Sequence, residues 1–169
     1  GGAEKFHGAV VDHVGNENTR VFRDVSDLGI LLEKLDPLIG TTVRPETAII
    51  YDMENSWAIS NAAGPHHSKK NYNPTCLNHY KVFWKKGIPV DIIHMDMDFT
   101  GYKLLIAPML YLLRPGVAER IEKFVSYGGT FVTTYWSGIV DENDLCFTGG
   151  FPGPLRKLLG IWSEEIDVL

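Results

Sequence analysis

Cysteine is scarce in this chain, with two residues, Cys76 and Cys146, among 169. They lack the CxxC spacing of a zinc site and are too few for a disulfide framework, so both read as reduced thiols of a cytoplasmic protein. Long apolar runs are missing too. None approaches the roughly 20 residues that a bilayer-spanning helix needs, which argues against a membrane partner. Dense Lys/Arg blocks are also absent. The 16 basic residues are outnumbered by 21 acidic ones, for a formal net charge of -5. Phosphate backbones are held by clustered cations, so nucleic acid is not an expected partner. There are no internal repeats and no low-complexity segment, and the Gly-Gly-Ala-Glu start shows no charged leader followed by an apolar stretch.

What is present is an ordinary folding composition, 44% hydrophobic, in a length that supports one domain with a substantial core. Residues 1–18 have only the short apolar run Ala9-Val10-Val11 and read as irregular or briefly helical. Val21, Val25, Leu28, Leu32 and Leu35 then form a helical stripe, with Asn18 or Thr19 as its cap and Asp36-Pro37 as its stop. Thr47 to Asp52 reads as a strand buried on both faces. A long polar loop is expected over 55–73. Asn73 caps and Pro74 opens a second helix, with Leu77, Tyr80 and Trp84 on one face and Gly87 at its end; Lys85 and Lys86 suit that carboxyl terminus.

Further strands are expected at Val90–His94, Leu104–Pro108 and Thr130–Tyr135. Between the last two, Pro115 opens a helix that buries Val117, Ile121 and Phe124 and stops at Gly128-Gly129. A last helix is expected near Pro154–Leu159, and the run Glu164 to Leu169 reads as cut in mid-course. Strands and helices in alternation predict an α/β fold with a doubly wound, mostly parallel sheet, a flavodoxin-like or class I glutamine amidotransferase-like three-layer sandwich.

Such sheets bind ligands at the carboxyl ends of their strands. Asp52, Glu54, Asn55, His94, Asp96, Asp98, Tyr135, Trp136 and Ser137 fall there. Two readings compete: a polar cleft for a small molecule, or acids and amides that cap helices and end strands. His94-Met95-Asp96-Met97-Asp98 offers metal donors in type but lacks the glycine turn and terminal glutamate of a calcium loop, so a connection in which Asp98 caps Thr100-Gly101 is the simpler account. An amidotransferase or cysteine hydrolase requires a nucleophile on a glycine-flanked strand-to-helix elbow. The corresponding turn reads Ala107-Pro108-Met109-Leu110-Tyr111, and neither cysteine lies in it. The glycines of Gly149-Gly150-Phe151-Pro152-Gly153-Pro154 read as a conformational turn, not a phosphate loop. Of the four tryptophans, Trp57 and Trp136 are the candidates for a ligand or subunit contact, and Trp84 reads as packing.

Four contiguous pieces carry a resemblance: Glu4-Lys5-Phe6-His7; His13-Val14-Gly15-Asn16-Glu17-Asn18-Thr19-Arg20-Val21-Phe22-Arg23; Leu105-Ile106-Ala107-Pro108-Met109-Leu110-Tyr111; and Ser137-Gly138-Ile139-Val140-Asp141-Glu142-Asn143. Together they resemble the middle domain of the family 42 β-galactosidases, preceded by the end of the catalytic barrel. The resemblance implies that 1–40 is the barrel's end and a linking helix, and that 41–169 is an α/β trimerisation domain. It implies a parent that hydrolyses terminal β-D-galactosides with retention through two glutamates. These stand about 5 Å apart in retaining enzymes and belong to the barrel, upstream of residue 1. On that basis the chain holds no catalytic residue, needs no cofactor or metal, and is inactive alone. The parent is a homotrimer, with Glu4 and His7 lining one edge of its galactose pocket. Asp52, Glu54, Trp57, His94 and Trp136 are the candidate cleft or interface residues. A stand-alone flavodoxin-like binding module and an amidotransferase-like enzyme are the alternatives.

Overall fold

The computed structural model describes residues 8–63 and 70–166. The chain divides into two compact units, Gly1–Thr42 and Val43–Leu169.

In the first unit, α1 spans Arg20–Glu33. Its cap is Thr19, whose extended backbone frees the side-chain hydroxyl to accept the Phe22 N–H. Arg20 and Asp24 pair one turn apart on its surface. A short 3-10 turn over Asp36–Leu38 follows, placed by Pro37, which cannot continue an α-helix.

The second unit is built on a four-stranded, all-parallel sheet in the order β2-β1-β3-β4. The strands are β1 (Thr47–Ile50), β2 (Asp91–Ile93), β3 (Leu104–Ala107) and β4 (Thr130–Thr133). Central β1 is buried at every position, as its unbroken apolar run requires. Its Ile49 lies in register between Ile92 and Ile106. The connection from β1 to β2 runs toward one edge, and the one from β3 to β4 runs toward the other. Right-handed crossovers therefore place α2 (Met53–Asn61) and α3 (Tyr72–Trp84) on one face and α4 (Val117–Ser126) on the opposite face. The expected doubly wound sheet is what forms.

α4 buries Val117, Ile121 and Phe124 at spacings of four and three, with the Phe124 ring edge-on to Phe99 at 6.3 Å. It starts after Pro115, at the left-handed Gly116. The core continues through Ile50, Met95, Leu105, Leu110, Leu113 and Leu155. A short α5 (Arg156–Leu159) follows a 3-10 turn over Gly153–Leu155, and Ser163 then returns to bridge Phe151.

Several expectations are corrected. Residues 53–61 are helical, where a loop is expected from residue 55: Asp52 supplies a cap, and Ala58 and Ile59 reach the core. α3 begins at Tyr72, not after Asn73, because Asn71 takes the left-handed conformation that turns the chain into the helix. Its inward face is Tyr72, Cys76 and Phe83, so Leu77 and Trp84 point outward. Trp84 is 67% exposed and is not a packing residue of this unit. β4 ends at Thr133, because Thr134 to Ser137 turn back to hydrogen-bond the segment after β3.

Candidate functional site

β1 delivers Asp52 to the carboxyl edge of the sheet at the switch point between adjacent β1 and β3, from which the chain runs on toward opposite edges. The Asp52 carboxylate is only 2% exposed. Its Oδ1 caps α2, accepting the N–H groups of Glu54 at 3.1 Å and Asn55 at 3.2 Å. Burying a carboxylate demands a countercharge. Arg114, from the segment after β3, supplies it: Nη1 donates to Oδ2 at 3.1 Å, and Nη2 reaches Oδ1 at 3.0 Å and Oδ2 at 3.1 Å.

The same guanidinium donates from Nε to Glu54 Oε2 at 2.8 Å and from Nη1 to Asp96. From α4, Arg120 reaches the Met95 carbonyl at 2.8 Å and Asp96 Oδ1 at 3.3 Å. Burial opposes the Arg114 charge, but the hydrogen bond to Glu54 and the fields of Asp52 and Asp96 outweigh it and raise its pKa further. The result is a knot of three acids and two arginines joining β1, α2, the β2 exit, the β3 exit and α4. It fills the place where an open α/β sheet receives a ligand.

Beside it, the chain leaving β3 turns sharply at Met109, whose φ is +47°, a left-handed value unusual for a side chain other than glycine. This is where a nucleophile elbow would present its reactive group. Here the group is a thioether, buried to 1% exposure. Its N–H donates to Thr134 Oγ1 at 2.8 Å, and its carbonyl accepts Asn55 Nδ2 at 3.0 Å. Leu110 N–H donates to Ser137 Oγ at 3.1 Å, and Leu112 N–H to Asn55 Oδ1 at 2.8 Å. Asn55, fully buried, thus uses both ends of its amide to hold an irregular backbone that water does not reach.

The sequence-nominated residues fare differently. Asp52 and Glu54 are brought together, on Arg114. His94 is exposed, and its Nδ1 accepts the Asp96 N–H at 3.3 Å. Asp98 accepts both the N–H and the hydroxyl of Thr100, which lowers its pKa, so the segment 94–98 is a capped connection as expected. Trp57 stands 62% exposed on α2. Trp136 lies apart from the acidic knot, tilted against Tyr111 at 5.7 Å between ring centres, with Lys70 Nζ 5.8 Å from its ring. Glu4 and His7 lie outside the described residues.

Both cysteines are free. Cys76 is buried on α3, and that burial pushes its thiol pKa up to about 11. Cys146 is exposed in the loop after Val140. Among the described residues, neither thiol hydrogen-bonds a histidine or a carboxylate, the partner that would activate it as a nucleophile.

Arg114 and Arg120 were missed as site residues. The signal was a single cation closing the apolar run Leu110-Tyr111-Leu112-Leu113, just before Pro115-Gly116. A charge that abuts a buried run has to find an opposite charge, though sequence does not say which.

Comparison with known proteins gives this geometry its context. The family described as the β-galactosidase trimerisation domain matches residues 45–169. β-Galactosidase Pbg of Clostridium perfringens is 65% identical over all 169 residues, which make up 24% of that protein. β-Galactosidase BglY of Alicyclobacillus acidocaldarius is 58% identical over the whole chain, 25% of its own length. The crystal structure of the cold-adapted β-galactosidase from Rahnella sp. R3 superposes with a TM-score of 0.90 at 57% identity, covering 100% of this chain and 25% of that one. The chain therefore spans about a quarter of the length of these relatives.

Proposed function

The chain belongs to the trimerisation-domain family of the family 42 β-galactosidases, and from that premise we propose that it serves as the non-catalytic assembly domain of an enzyme that hydrolyses terminal β-D-galactosides. The match over 45–169 carries this reading. A second support is the state of the sheet's carboxyl edge, where Arg114, Met109 and Asn55 fill the space that a substrate would need.

In the parent, the two catalytic glutamates lie in a barrel outside this chain and cleave with retention. Residues 1–40 are the barrel's end and linking helix, and Glu4 and His7 hydrogen-bond sugar hydroxyls at one edge of the galactose pocket. Three copies close a ring whose contacts are heterologous, one patch of each copy meeting a different patch of the next. The two free thiols support a cytoplasmic location. Among the described residues, no helix is long and apolar enough to cross a membrane. The three-layer sandwich is of the amidotransferase-like type, with Met109 where such enzymes place their nucleophile.

The test is solution mass by light scattering, on the full-length enzyme and on this chain, across concentration. A trimeric full-length enzyme is expected; a monomer at every concentration overturns the proposal. In parallel, the isolated chain is expected to release no nitrophenol from nitrophenyl β-galactoside, whereas release of ammonia from glutamine that is lost on thiol alkylation would favour the amidotransferase-like alternative. A melting shift with a small metabolite would favour the binding module. In the full-length enzyme, Glu4→Gln is expected to raise KM for the galactoside about tenfold or more, since a charge-assisted hydrogen bond to a sugar hydroxyl would be weakened.

A further inference from the structure

The outer surfaces of the two helical layers are unlike. α4 exposes Glu119, Glu122, Lys123 and Ser126, a face suited to water. α3 exposes Leu77, Val82 and Trp84, and the adjoining edge continues the apolar surface with Ile88 and with Ile92 on β2. A helix that is apolar on both sides is normally covered on both sides. Beside α3 and the sheet edge there is also an open apolar groove of about 290 Å³, lined by Ile49, Tyr51, Cys76, Leu77, Tyr80 and Ile92.

Charge says what covers it. α3 and its exit carry Lys81, Lys85 and Lys86, all exposed, and α3 contains no acidic residue. Among the described residues none of these lysines forms an ion pair. Elsewhere on the same unit, the loop over 141–145 presents Glu142 and Asp144, likewise without ion pairs among the described residues, around an exposed Leu145. That loop borders a second cleft of about 420 Å³, lined in part by Tyr111, Trp136, Ile139, Val140 and Asp144. One patch is apolar with a basic rim; the other is an apolar cleft with the acidic loop 141–145 on one side and Lys70 against its Trp136 wall. Two different but complementary patches on one subunit are what a closed head-to-tail ring requires.

We infer that the α3 face of one copy, led by Trp84 with Lys85 and Lys86, docks against the 141–145 loop and its cleft on a second copy of this chain. The inference rests on the assembly role proposed above and names the surfaces that perform it. The rim charges set register and partner orientation, and the apolar centres supply the buried area. Trp84 is suited to the centre of such a contact, because a large aromatic immobilises little rotamer freedom when it is covered.

The experiment is charge reversal with rescue in the full-length enzyme, read as the concentration of half-dissociation by light scattering. Lys85→Glu with Lys86→Glu is expected to raise that concentration about tenfold or more. Glu142→Lys with Asp144→Asn is expected to do the same; Asn tolerates the left-handed backbone at residue 144, where φ is +61°. Combining Lys86→Glu with Glu142→Lys is expected to restore association. Each variant is exposed, so an unchanged melting curve of the isolated chain verifies that folding is intact. If both reversals leave a trimeric enzyme unaffected, or if each weakens it but the combination does not restore it, the docking assignment is overturned while the assembly role stands. If the wild-type enzyme is itself monomeric, the assembly role fails first, and with it this inference.

Discussion

α4 and α3 cover opposite faces of one sheet and solve different problems. α4 separates its residues cleanly, apolar side chains against the sheet and charges toward water, with Glu122 paired to Lys157 on its outer side at 3.4 Å. α3 makes no such separation, burying Tyr72 and Cys76 while presenting Leu77, Val82 and Trp84 outward. The difference teaches where folding ends and association begins: a segregated helix is satisfied by its own domain, and an unsegregated one is waiting for a surface.

The largest expected effect on the α4 side comes from its centre. Ile121 is fully buried, and Ile121→Ala is expected to destabilise the chain by about 2–5 kcal/mol in urea unfolding, through lost burial and the cavity left behind. Next comes the knot that ties α4 to the α2/α3 side. Asp52→Ala removes the α2 cap and the fork partner of Arg114, and about 2–4 kcal/mol is expected by the same measurement. Glu54 and Asp96 retain part of the Arg114 contact, which keeps the loss below that of a fully orphaned charge.

Gly129→Ala is expected to cost about 1–3 kcal/mol, since a Cβ there would stand 2.4 Å from the Phe124 ring, and overpacking at this α4-to-β4 turn forces the ring to move. A smaller effect concerns α3. The Cys76 thiol is raised from an ordinary 9.0 to about 11 in the fold. Between those values the unfolded chain has lost its proton while the folded chain keeps it, so stability falls as pH rises from about 9 to about 11. Below pH 9 the thiol contributes no slope, and Cys76→Ala is expected to remove its share. The smallest expected effect is the one that tests the contrast most directly. Trp84→Ser is expected to change the stability of the isolated chain by no more than about 0.5 kcal/mol. A loss above about 2 kcal/mol would make Trp84 a packing residue and end the distinction between the two helices.

Much of the fold was legible in the residues. The apolar run at 47–50, the α4 stripe and the turn at Gly128-Gly129 each follow from local periodicity and glycine chemistry. α2 was not, because Met53 to Asn61 has weak periodicity and reaches the core only through Asn55, Ser56, Ala58 and Ile59. Trp84 turns outward where packing is expected for a related reason: with apolar residues on both sides of α3, spacing alone does not say which side meets the sheet.

The candidate site divides the same way. Asp52 and Glu54 were nominated because acids after a strand in an α/β fold are either ligand-binding or capping residues, and local chemistry leaves that choice open. Their neutralisation by Arg114, some 60 positions on, is a long-range pairing with no local signature.

By itself, then, the sequence determined the strands, most helix limits, the absence of a nucleophile on the elbow and the kinship with the β-galactosidase trimerisation domains. All of these depend on neighbours in the chain or on contiguous matches. Only the tertiary structure decided that the carboxyl edge is filled by a guanidinium and a buried thioether, and that α3 turns Trp84 outward. Those outcomes depend on which distant segments the parallel crossovers bring together, and a buried charge or an uncovered apolar face acquires its meaning only from what packs beside it.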